Sequence, residues 1–205
     1  MNIAIIGTGN VGGALASKWA MKGHALHLGV RDQTQFKGQA LLANANTQVH
    51  AIATAVSLSE VIVLATPAPM AVEVALALGD TTGKIIIDTM NIVMKRGPVG
   101  YTNTTDAILA NTATRDVVKC FNTTGFNNLV NPVYGTTALD LFVAGDSEKG
   151  TAAAIHLAKD AGFAECYSIG GNDKFELMEQ FAWFWINLAM FKGHGRDIGF
   201  KLHKR

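Results

Sequence analysis

The stretch IAIIGTGNVGG places Gly7, Gly9 and Gly12 in G-x-G-x-x-G spacing, directly behind a β-branched apolar run and ahead of a helical pattern. In that context the motif binds a diphosphate. Gly7 permits the tight turn, Gly9 lets a pyrophosphate approach the backbone, and Gly12 lets helix and strand pack closely. The amides of Thr8, Gly9, Asn10 and Val11 are expected to face the phosphates, aided by the dipole of the helix that starts there.

The nucleotide is selected at HLGVRDQTQFK, residues 27–37. Asp32 lies about 20 residues past Gly12, the spacing at which an acid meets the ribose of NAD. Strand geometry argues otherwise. The second strand ends at Val30, whose side chain accepts no hydrogen bond, and Arg31 follows it. A guanidinium at that place matches a 2′-phosphate bidentately, and Lys37 offers a second cation. The reading is NADP(H).

Further along, LATPAPM puts Ala65, Thr66 and Pro67 at the carboxyl end of a strand, IIIDTMN puts Thr89, Met90 and Asn91 at another, and FNTTGFNN puts Asn122, Thr123 and Thr124 at a third. Carboxyl ends of strands line the ligand crevice of a doubly wound sheet, so these groups are expected beside the nicotinamide. No Ser–His–Asp order, HxxxH metal pair, Walker lysine or carboxylate pair appears, so no catalytic side chain and no metal ligand is assigned. Asp88 reads as a turn-forming residue. His24 precedes a strand and His50 lies at the start of another, and both read as structural or surface groups; His156 and His203 have no partner in view. His194, flanked by glycines in KGHGRD, is the histidine to watch. A nicotinamide site without an acid or base suits direct hydride transfer between two cofactors, with the protein supplying orientation.

The elements that must hold these residues follow from periodicity. Strands are predicted over 2–6, 25–30, 49–53, 61–65, 84–89, 117–121, 139–144 and 164–169, with helices over 10–22, 70–78, 106–110, 147–160 and 173–191. Alternation of strand and helix gives an α/β fold with a doubly wound, mostly parallel sheet and a small C-terminal helical extension. The domain reading is 1–170 for nucleotide binding. It assigns 171–205 to a helical segment completing the cleft. FAWFWINLAMF is apolar nearly all round, which calls for a cover, either the chain's own core or a second copy of the chain; the second copy is the expected one, through Trp183, Trp185 or Phe191.

The 205 residues carry a formal charge of +1 and are 49% hydrophobic and 16% charged, which argues against nucleic acid or an anionic membrane as partner. No stretch reaches the ~18 apolar residues of a membrane span. The N-terminal run stops at Gly7 without a preceding basic segment, and Cys120 and Cys166 lack paired spacing. Both points favour reduced thiols and a cytoplasmic location.

The stretches IGTGNVGGALA, GH before the second strand, Arg31 after it, VVKCFNTTGFNN, LFVAGDSEKG and KGHGRDIGFKL resemble the NADPH-dependent coenzyme F420 reductases. They also resemble the nucleotide-binding domain of the six-transmembrane ferric reductases. The resemblance implies an NADP-binding Rossmann fold with the acceptor ring, coenzyme F420 or a flavin, lying in the cleft against the nicotinamide. It further implies that Thr8, Asn10, Val11, Arg31, Thr66 and Pro67 contact NADP. Val30 departs from the serine that many relatives place against the 2′-phosphate, and the transmembrane half of the ferric reductases is absent. Alternatives are a ferric or flavin reductase and a non-enzymatic NADPH sensor. A pyrroline-5-carboxylate type of imine or hydroxy-acid reductase is disfavoured, because too little chain follows the sixth strand for its all-helical domain.

Overall fold

Each residue of the chain, 1–205, is described by a computed structural model. Ten strands form: β1 (Asn2–Ile6), β2 (Ala25–Val30), β3 (Thr47–Ala51), β4 (Val61–Leu64), β5 (Ile85–Asp88), β6 (Val117–Cys120), β7 (Val133–Tyr134), β8 (Thr137–Ala138), β9 (Asp140–Ala144) and β10 (Glu165–Ser168). The α-helices are α1 (Asn10–Met21), α2 (Ile52–Ser57), α3 (Ala71–Ala77), α4 (Thr104–Ala110), α5 (Phe126–Val130), α6 (Glu148–Asp160) and α7 (Phe175–Ile186).

Alternate residues of β1 feed two cores. Ile3 and Ile5 pack with Leu15 and Trp19 of α1 and Leu157 of α6, while Ala4 and Ile6 pack with Val56 of α2, Val74 of α3 and Ile108 of α4. A strand buried on both faces must be apolar throughout, which is why the central strands read as continuous Val/Ile runs. The eight-stranded sheet runs β10-β9-β6-β5-β4-β1-β2-β3. All neighbours are parallel except β6 and β9. This is the doubly wound Rossmann order, and its crevice opens where the winding reverses, beyond the carboxyl ends of β1 and β4.

Helix α1 ends as its sequence predicts. Gly23 takes φ +84, and the His24 amide returns to the Trp19 carbonyl at 3.1 Å, closing the helix with a left-handed glycine cap. Elsewhere the chain departs from expectation. The third strand starts two residues early and stops at Ala51, the partner of Val30, so 52–53 open the unforeseen helix α2 and His50 lies inside a strand. Helix α5 and the β7–β8 hairpin were also not foreseen, being too short to show a period. The 173–191 helix is helical from Phe175 to Phe191, with a π turn over Asn187–Phe191. The remainder, 192–205, is not helical, so the C-terminal segment is helix plus return strap. No helix is long and apolar enough to cross a membrane.

Helix α7 is covered in part by its own chain. Phe175, Met178, Ala182, Trp185 and Ala189 form a buried stripe, whereas Leu177, Trp183, Phe184, Met190 and Phe191 remain exposed. Trp185 is therefore unavailable to a partner subunit, contrary to expectation; its indole N–H donates to the Ile198 carbonyl at 2.8 Å. The strap is pinned again where Lys201 Nζ reaches Asp140 Oδ1 at 2.7 Å.

Candidate functional site

The loop between β1 and α1 is a cradle that only its glycines permit. Gly7 has φ +100, and a Cβ on Gly12 would collide with the Gly7 carbonyl. A Cβ on Gly9 would meet nothing within 4 Å, so the space above it is open. Gly9 is also the N-cap of α1 and supplies no capping side chain, and the first turn carries no acid. The amides of Asn10 and Val11, in the first turn of the helix, have no side-chain cap.

The loop after β2 folds back onto this cradle. The Thr8 hydroxyl donates to the Lys37 carbonyl, and a Cβ on Gly38 would press on the Thr8 carbonyl. Asp32 is turned into its own loop. Its Oδ1 accepts from the Thr34 hydroxyl at 2.6 Å and from the Thr34 and Gln35 amides at 2.8 and 3.2 Å. Those bonds, the hydroxyl's first, hold its carboxyl below the usual range. Arg31 and Lys37 are exposed and make no ion pair. Val30 is buried.

Across the switch point, a cleft of about 480 Å³ is lined by Asn10 and Val11, by Asn91 and Asn122, and by Phe126, Trp185 and Arg196. Asn91 and Asn122 clasp each other. Asn122 Nδ2 donates to Asn91 Oδ1 at 2.8 Å, and Asn91 Nδ2 donates to the Asn122 carbonyl at 2.8 Å. Asn122 Oδ1 is buried without a partner, an acceptor awaiting a donor. Phe121 just before it has φ 62, a left-handed turn strained for an aromatic residue by about 1–3 kcal/mol. Its ring is locked edge-on against Trp19 at 5.5 Å. Ala65 abuts Gly7, whose Cβ would strike its carbonyl. The Thr66 hydroxyl points to Met90 Sδ at 3.2 Å, and Pro67 is exposed.

Several groups escaped the sequence reading. Arg196 lines the cleft and lies 5.8 Å over the Phe126 ring, so the cleft is not neutral; His194, the histidine singled out, is exposed and does not line it. Asp88 does form the expected turn bond, from the Met90 amide at 2.8 Å. It also accepts a buried Lys119 ammonium at 2.8 Å, and Lys119 reaches Glu179 of α7 at 3.0 Å. Glu179 in turn accepts the Ile92 and Thr104 amides at 2.7 and 2.9 Å. A lysine inside the apolar run VVKC was the available signal, since a charge in a covered strand requires partners. His156 also has a partner, Asp160 at 3.2 Å.

Residues 2–92 match the NADP oxidoreductases, coenzyme F420-dependent. This is the family resemblance visible in the sequence, and the matched span carries the cradle, Arg31 and Thr66 but ends before β6 and α7. No curated protein matches the chain. Among solved structures, a candidate F420-dependent NADP reductase from Arthrobacter sp. FB24 superposes with a TM-score of 0.84 at 24% identity, covering 100% of both chains. The hypothetical protein SMa0349 from Sinorhizobium meliloti gives 0.70 at 23% identity, over 83% of this chain and 85% of that one. A reductive aminase from Aspergillus terreus, solved with NADPH and ethyl levulinate, gives 0.68 at 18% identity over 94% of this chain and 62% of its own. At these identities the structural matches establish the shared fold.

Proposed function

We propose that the protein is an NADP(H)-dependent oxidoreductase that moves a hydride between nicotinamide C4 and the ring of a deazaflavin of the coenzyme F420 type, or a flavin-like acceptor. The observation that carries this reading is the continuity of the glycine cradle with a cleft that ends on an unpartnered buried acceptor. Asn10 and Val11 belong to both parts, and Asn122 Oδ1 is the orphan. The family match over residues 2–92 supports the nucleotide.

The residues divide the work. Gly7, Thr8, Gly9, Asn10, Val11 and Gly12 hold the diphosphate through backbone amides, Arg31 and Lys37 hold the 2′-phosphate over Val30, and Ala65, Thr66 and Pro67 flank the nucleotide. Asn122, fixed by Asn91, presents a carbonyl that can accept from a carboxamide N–H or from a ring N–H of the acceptor. Phe126 and Trp185 wall the ring, and Arg196 favours negative charge near it. When bound, the nicotinamide supplies two electrons as hydride and the oxidised acceptor takes them with a solvent proton, leaving NADP⁺ and reduced acceptor. The chain contributes orientation and exclusion of water. No side chain is assigned as acid, base or metal ligand in the hydride transfer.

The same reading places residues 1–170 as the nucleotide domain, with 171–205 closing the cleft, in a cytoplasmic homodimer. The dimer contact is the exposed apolar side of α7. The experiment that tests the reading is NADPH oxidation by the purified protein across a panel of deazaflavin, flavin and ferric acceptors. Turnover with a deazaflavin or flavin and not with NADH supports it. Tight NADPH binding without oxidation by any acceptor would make the protein a sensor instead.

A further inference from the structure

Three side chains that the redox reading leaves unused converge between the turn leaving α1 and the last turn of α6. His24 Nε2 lies 2.8 Å from Asp160 Oδ2, and His156 Nε2 lies 3.2 Å from the same oxygen. One ligand atom from each of the three fits within a 4.8 Å span. His156 and Asp160 stand one helical turn apart on α6, so both project from one face.

The segments bearing these groups are held together by bonds that involve none of the three side chains. The Trp19 indole of α1 donates to the Leu157 carbonyl of α6 at 2.9 Å. Asn46 Nδ2 donates to the His24 carbonyl at 2.7 Å, and the His24 amide is bound within the α1 cap. The cluster is thus presented by a rigid frame rather than gathered from loose chain. Access is graded: His24 is buried, Asp160 half-buried and His156 exposed. One side remains open to water as a further ligand and as a route in.

Two imidazoles aimed at one carboxylate oxygen must each place a proton there, or share a cation that replaces both protons. We infer that His24, His156 and Asp160 form a binding site for a divalent transition ion of the zinc class, outside the redox cleft. Imidazole and carboxylate ligands suit zinc, cobalt or nickel rather than magnesium or calcium. With metal–ligand bonds of about 2.0–2.2 Å, tetrahedral ligand atoms stand roughly 3.3 Å apart, within about half an ångström of the two separations to Asp160. The two imidazoles, whose ligand atoms lie within 4.8 Å of each other, have to close by up to about 1.5 Å on the ion, a movement the exposed His156 side chain can make. A bound ion clasps the α1–β2 turn to α6, stabilising the fold by an amount that grows with the logarithm of free ion above the dissociation constant.

The test uses the full chain, stripped with chelator and titrated with Zn²⁺ alone by calorimetry. The expected result is one saturable ion per chain with a micromolar or tighter dissociation constant, and a rise in Tm on loading. Cobalt(II) in its place should give the visible bands of a tetrahedral centre. His156→Ala, at an exposed position, should weaken zinc at least tenfold and abolish those bands. His50→Ala tests the other histidine pair, His27 and His50, whose ring nitrogens lie 3.2 Å apart; it should leave the titration unchanged. No saturable binding, unaltered binding by His156→Ala, or binding lost in His50→Ala would each overturn the assignment.

Discussion

Lys119 Nζ lies 2.8 Å from Asp88 Oδ2, and both side chains are fully buried. The pair joins adjacent strands β5 and β6 directly below Met90 and Asn91, and Glu179 ties α7 into it. The Lys119 ammonium also donates to the Met90 carbonyl at 2.9 Å. Removing the cation strands two buried carboxylates, a loss of the kind that costs about 3–5 kcal/mol. Lys119→Met should lower unfolding free energy by that amount in denaturant titrations. A loss under about 1 kcal/mol would show that the network is dispensable to the fold.

Arg31 is exposed without an ion partner, while Asp32 is occupied by its own loop. Arg31→Ala should therefore weaken NADPH more than NADH, by roughly the 1.5–3 kcal/mol of a charge-assisted bond. Asp32→Asn should change NADH affinity little. Equal losses for both nucleotides in Arg31→Ala would move the recognition back to Asp32.

The exposed side of α7 and of the π turn that follows it carries Trp183, Phe184, Met190 and Phe191, a row that a second copy is expected to cover. Sedimentation at micromolar concentration should find a dimer, and Phe184→Asp with Phe191→Asp should give a monomer of unchanged helicity. A wild-type monomer would remove the proposed interface.

Burial, and then the neighbouring His50 imidazole, hold the His27 pKa below its ordinary 6.5. Below 6.5 the unfolded chain thus binds more protons at this position than the folded one, so stability is lost as pH falls from 6.5 through the lowered folded value. The drop in Tm between about pH 7.5 and about pH 5.5 should be smaller for His27→Gln than for the wild type, other groups cancelling in the difference. An equal drop in both would show that His27 titrates alike in the two states.

The sequence was most informative where one local rule decides the structure. Glycine spacing located the tight turn between β1 and α1, continuous apolar runs located the central strands, and Gly23 marked the end of α1. Reading failed where the deciding contact is distant or the element is short. The apolar residues of 52–56 continue a strand pattern, and only the end of pairing at Ala51 opposite Val30 turns them into α2. Lys119 finds its partners at Asp88 and Glu179, far along the chain, so its role emerges only when β5, β6 and α7 are assembled. Arg196 gains its place in the cleft because the strap after α7 turns back to bond Trp185 and Asn128 through the Ile198 carbonyl. Trp185, offered as a dimer contact from its apolar neighbourhood, is instead part of that wall.

The central claim is direct hydride transfer in the cleft beside Asn91 and Asn122. NADPH carrying deuterium stereospecifically at nicotinamide C4, turned over with an oxidised deazaflavin, tests it most directly. The account predicts that deuterium from one face of the nicotinamide appears on the acceptor ring carbon without dilution by solvent hydrogen, at a rate that His194→Ala changes only modestly. Loss of the label to water, or collapse of turnover in His194→Ala, would contradict it.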